Sequence, residues 1–154
     1  MMIQVKRTNR KSIGYSLAPE ELTIFVPNDA TEDDKLEKIL SETTNHCHNE
    51  MITKERFNQI LNDWMGKMQV KPKKVQLKKM KSKWASCSPG KAVTFNSLLT
   101  GMPEEFVGYV ICHELLHFKV PNHNKLFKSL LSAYMPDWQE RISNTIDFVL
   151  NQCK

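Results

Sequence analysis

No CxxC pair occurs in this 154-residue chain, and no internal repeat or low-complexity linker interrupts it. No apolar run in it approaches the ~20 residues that span a bilayer. The opening stretch, MMIQVKRTNRKS, lacks the apolar core of a secretory signal. Each absence removes a class. With no secretory signal, the four cysteines (Cys47, Cys87, Cys112 and Cys153) are read as reduced thiols rather than a disulfide framework. With no spanning segment, a membrane partner is not expected, and the cytoplasm is the expected compartment.

What is present is ordinary globular composition. The chain is 40% hydrophobic and 25% charged, which is not the balance of a disordered segment. Its length predicts one domain over 1–154, large enough to bury a core without disulfide staples. Strands and helices are expected over 1–70, and the chemistry-bearing core over 71–154. The net charge is +5, and much of the excess lies in KMQVKPKKVQLKKMKSK, residues 67–83. Such a run is either an electrostatic footprint for nucleic acid or a set of solvated strand and turn lysines.

Residues 2–6 and 21–26 have strand character, with KSIGYSL (11–17) between them as a third strand of a meander. DATEDDKLEKIL opens a helix with Thr31 as its cap. EMITKERFNQILNDWMG, residues 50–66, sets Phe57, Ile60, Leu61 and Trp64 at helical spacing, and Gly66 suits its end. KKVQLKKM alternates as a half-buried strand does, and SPG reads as a turn between strands in KWASC and KAVTFNSLL. MPEEFVGYVICHELLHF begins with Pro103 and two glutamates and is apolar almost all round, so it predicts a central buried helix. Pro121 stops it, and Asn122 can cap the next helix, HNKLFKSLLSAY. A last helix carries Trp138, Ile142, Ile146 and Val149 along one face.

The central helix poses a chemical question. His113 and His117 are four residues apart, so both rings fall on one helix face about one turn apart. Two imidazoles so placed can share one tetrahedral zinc ion. Glu114, one step round the helix, is then offered to a metal-activated water rather than to the metal. A catalytic zinc takes three protein ligands and keeps one position open. His123, just past the Pro121 turn, is the candidate third ligand. The alternative is a pair of surface histidines, against which the flanking VGYVIC and LL argue. His46, Cys47 and His48 alternate in a spacing that suits no helical metal face. Cys112 is read as a small buried hydrophobe, and Trp84 and Phe95 as core.

These blocks resemble a known family. KWASCSPGKAVTFNSLLTGMP, YVICHELLHFKVPNHNKLF and MPDW follow, in order and spacing, the pattern of the YgjP-like (DUF45) metallopeptidase domain, a small zincin related to SprT-like and minigluzincin peptidases. The resemblance covers roughly residues 80–140. It implies an α+β zincin-like fold, with a small mixed or antiparallel sheet on the buried HExxH helix and further helices toward the C-terminus. It also implies one zinc ion per chain on His113, His117 and His123, with Glu114 as general base. The family's W-G-S-C glycine is Ala85 here, and its arginine two positions before the tryptophan is Ser82.

The function expected on this basis is zinc-dependent hydrolysis of peptide bonds in a peptide or protein substrate. Tyr134 is a candidate electrophile for the developing oxyanion. Asn96 and Asp137 are candidates for orienting the histidines. Two alternatives use the same centre differently: a zinc-dependent nucleotide phosphohydrolase, and a DNA-associated protease or binding module anchored through the Lys67–Lys83 run.

Overall fold

The computed structural model describes residues 2–9, 14–27 and 52–152. The expected helix capped by Thr31, the His46–Cys47–His48 cluster and Cys153 lie outside the described residues. The described elements are β1 (Met2–Thr8), β2 (Gly14–Leu17), β3 (Glu21–Pro27), α1 (Lys54–Met68), β4 (Lys74–Lys78), β5 (Ala85–Cys87), β6 (Ala92–Asn96), a 3-10 turn (Ser97–Gly101), α2 (Glu104–Leu116), α3 (Lys125–Tyr134) and α4 (Trp138–Gln152). The fold is α+β, with two mixed three-stranded sheets around a helical core. No described helix is long and apolar enough to cross a membrane.

The N-terminal sheet is not the expected meander. Its order is β1-β3-β2, with β1 parallel and β2 antiparallel to β3. The middle place goes to the strand that buries most: Leu22, Thr23 and Ile24 are all buried, whereas Ile3 and Val5 of β1 stay exposed. In the second sheet, β4 runs parallel to β6, and β5 forms an antiparallel hairpin with it. The SPG segment is the hairpin turn. The left-handed residue is Lys91 at φ 60°, not Gly90, and its N–H donates to the Ser88 carbonyl at 3.0 Å.

Three boundaries differ from expectation. α1 runs through Gly66 to Met68 because the buried face of Phe57, Ile60 and Leu61 continues to Met68, and Gln69 takes the left-handed cap at φ 53°. The segment after Asn96 leaves the strand and forms the 3-10 turn, because the Asn96 Oδ1 accepts the Leu98 N–H at 3.1 Å. α3 is capped by Asn124, not Asn122: the Asn124 Oδ1 accepts the Phe127 N–H at 3.0 Å. A tight turn, with Asn124 N–H on the Asn122 carbonyl at 2.8 Å, delays the helix by two residues. That delay leaves His123 in the loop rather than on a helix.

α2 is the axis of the molecule. Phe106, Val107, Val110, Ile111, Cys112, Leu115 and Leu116 are buried on all its sides, as its even apolar composition demands. It packs against α1, α3, α4 and β5. The core around it is rich in aromatic contacts, with Phe57 meeting Phe95 edge-on at 5.4 Å.

Candidate metal centre

The site is built on the last turn of α2. His113 and Glu114 are helical, and His117 is the C-cap residue, still in right-handed conformation at φ −61° and ψ −19°. The helical spacing therefore persists to His117. At this end the helix dipole presents its negative pole, which favours a cation. Beyond it the chain reverses through Pro121 and returns His123 over α2. The Nε2 atoms of His113 and His123 stand 2.8 Å apart. Two imidazole nitrogens at that distance cannot both direct lone pairs at each other, so a proton or a cation belongs between them.

One ligand atom from each of His113, His117 and His123 falls within 4.8 Å of the others. Zn–N bonds of about 2.0–2.1 Å in a tetrahedron put ligand nitrogens roughly 3.3 Å apart, a value between the 2.8 Å contact and the 4.8 Å span. The protonation states agree. The His117 Nδ1–H donates to the Val120 carbonyl at 3.2 Å, which leaves Nε2 with its lone pair. Burial, then the like charges of His117 and His123, push the His113 pKa down to about 4, so its ring is neutral at pH 7. Burial also lowers the His117 pKa. A metal ligand must be neutral imidazole, and the three residues fit a metal ion.

Phe127, fully buried in α3, is the floor of the centre. Its ring centroid lies 4.9, 4.8 and 4.8 Å from those of His113, His117 and His123. Tyr109, one turn before His113, brings its hydroxyl to 3.4 Å from the His113 Nδ1 and stacks on Trp138 at 6.3 Å. Burial, then Glu114, push its phenol up to about 12, so it stays protonated.

Glu114 lines the cleft between the histidines and β5, sharing one cavity wall with His113 and another with His117. Burial raises its pKa to about 7, against the pull of Lys83. Two cavities open beside it. One, of about 360 Å³, is walled by aromatic and aliphatic side chains, including Trp84, Phe106 and Tyr109. The other, of about 400 Å³, is lined by Ser86, Cys87, Ser88 and Pro89 and by His117. Lys83, Ala85 and Glu114 line both.

The other residues singled out in the sequence lie as follows. Asn96 is fully buried; its Nδ2 donates to the carbonyls of Met80 at 2.7 Å and Lys83 at 2.9 Å. It ties down the loop that carries Lys83 and Trp84. Asp137 accepts from the Arg141 Nε at 2.9 Å. Tyr134 ends α3, its carbonyl accepting the Lys67 ammonium at 3.0 Å, and it lines neither cavity. Cys112 is buried, its thiol pushed up to about 12 by burial. Phe95 is core, but Trp84 is half-buried at the cavity wall. Sequence reasoning missed Tyr109, Lys83 and the role of Phe127. For Tyr109 the signal was available, because it precedes His113 by four residues on the same helix.

A three-histidine cluster at the end of a buried helix, with a high-pKa carboxyl beside it and a cleft across it, is the arrangement of a metallopeptidase. Residues 3–144 match the family described as YgjP-like, metallopeptidase domain, and the chain belongs to that family. Among solved structures it is similar to the metallopeptidase zymogen jannalysin of Methanocaldococcus jannaschii, at 28% identity and a TM-score of 0.53. That match covers 60% of this chain and 96% of the other. No curated protein matches the chain.

Proposed function

We propose that the protein is a zinc-dependent metallopeptidase in which His113, His117 and His123 hold the ion and Glu114 is the general base. The observation that carries this is the convergence of three imidazoles, those of His113 and His117 with lowered pKa, beside a buried carboxyl whose pKa is about 7. When bound, zinc would act as a Lewis acid toward the substrate carbonyl and as the acidifying partner of a water. The chain's own residues do the rest. A carboxylate with a pKa near the working pH accepts the water's proton readily and gives it up readily, so Glu114 can pass it to the departing amine. The His117–Val120 bond and the Phe127 floor hold the rings in place. An extended peptide laid along β5, the outer strand of its sheet among the described residues, runs past Glu114. The test is a peptide-library digest with and without added zinc. The same digest against a nucleoside triphosphate panel separates peptide from nucleotide hydrolysis.

The basic run supports a second proposal, a nucleic-acid partner. Lys74 and Lys78 share one face of β4, with Lys73, Lys79 and Lys81 beside them, and all five are exposed. Lys67 is engaged elsewhere, 4.4 Å over the Trp64 ring and bonded to Tyr134. DNA affinity is expected to fall steeply as salt rises. Neutralising Lys73, Lys74, Lys78 and Lys79 together should flatten the log–log slope by roughly 3 to 4. Absence of measurable binding at low salt would leave these lysines as guards of an edge strand.

A further inference from the structure

The two cavities beside Glu114 differ in kind. The one toward β5 and its turn is the more polar, lined by serines, Lys83 and Cys87. The other is aromatic and aliphatic, and part of its wall comes from the N-terminal sheet: Tyr15 and Leu17 of β2 face Phe106, Tyr109 and Ile142 across it. This wall is tied in place. The Trp84 indole N–H donates to the Leu17 carbonyl at 3.0 Å, and the same indole meets Phe106 edge-on at 5.2 Å. The cavity's volume of about 360 Å³ is within the range of a small-molecule or side-chain pocket. Its chemistry suits an apolar group, since burying a large apolar side chain against such walls is favourable in proportion to area.

We infer that this cavity is the specificity pocket of the enzyme: it takes a bulky apolar or aromatic side chain next to the scissile bond, and β2 of the N-terminal sheet sets its size. The pocket begins at Glu114, so a side chain in it belongs to a residue flanking the bond at which Glu114 acts. The residue on the other side of that bond meets the more polar cavity and is polar. The N-terminal sheet is then part of the substrate site through Tyr15 and Leu17, with Trp84 as the positioning residue that holds it.

The inference rests on the peptidase proposal, and the experiment separates the two. The full chain, loaded with zinc, is given a peptide library, and the cleaved bonds are read by mass spectrometry. The expected result is enrichment of Phe, Tyr, Trp, Leu or Met at one fixed position beside the bond, by about tenfold or more over Ser and Gly. Two variants act on the pocket from opposite walls. Ile142→Phe, which narrows it, should shift the preference toward smaller apolar residues. Tyr15→Ala, which opens it on an exposed strand, should weaken the preference for aromatic over aliphatic side chains. Trp84→Phe keeps most of the ring but loses the Leu17 bond, and should broaden specificity mainly through KM. Cleavage with no apolar enrichment, or with an enrichment that neither pocket variant alters, overturns the inference and leaves the peptidase standing. Hydrolysis of no peptide at all overturns both.

Discussion

Glu114→Gln is expected to lower peptide hydrolysis by ~10²–10⁴-fold, the usual contribution of a general base, while the protein keeps its zinc and its fold. Glutamine preserves shape but cannot accept the proton. Loss of zinc along with activity would make the carboxylate a ligand, and full activity would place the catalytic centre elsewhere. A second effect of the same substitution appears in the metal-free protein. The folded state holds the Glu114 proton up to about pH 7, whereas the unfolded carboxyl releases it near 4.5. The stability this group contributes is therefore complete below pH 4.5 and lost as pH rises through 7. Glutamine has no such dependence. Metal-free Glu114→Gln should thus be more stable than the native chain at pH 8, by about 3 kcal/mol, with the difference closing toward pH 4.5. Denaturant titrations at the two pH values measure it.

The second large effect concerns the metal. On the proposed function, zinc binds the folded site and not the unfolded chain, so at about 100 times its dissociation constant it should add about 2.7 kcal/mol. For a chain of this size that raises the melting temperature by roughly 5–10 °C. His117→Ala should lose most of that increment and the hydrolysis with it. Asp137→Asn should keep the increment, because Asp137 is paired with Arg141 rather than with a histidine. Thermal unfolding with and without zinc compares the two. An increment unchanged in His117→Ala would mean that the ion sits elsewhere.

The convergence of the histidines was legible because most of it is local. His113, Glu114 and His117 lie within five residues of a helix, and helical spacing alone sets their faces. His123 was reachable because Pro121 marks a reversal. What escaped depends on distant parts of the chain. The parallel pairing of β1 with β3 is decided by which strand the core covers, and no local pattern in residues 2–6 reports it. Two asparagines stand within three residues of each other before α3, and only the tight turn from Asn122 to Asn124 decides which one caps. Gly66 looked like a helix end, but Met68 had a buried place to fill and carried α1 past it. Phe127 is an ordinary apolar residue until three rings converge on it. Asn96 has the chemistry of a ligand-orienting side chain, yet its bonds run to the Met80 and Lys83 carbonyls, partners 16 and 13 residues away. Tyr134 and Tyr109 are equal candidates by residue type; helical spacing already sets Tyr109 one turn before His113, whereas only the fold shows that Tyr134 lines neither cavity.

The most direct test of the account is elemental analysis of the chain purified without chelator, beside the His113→Ala, His117→Ala and His123→Ala variants. One zinc per chain is expected in the native protein, and a loss in every variant. A native protein that holds no zinc, and takes up none when zinc is added, would contradict it.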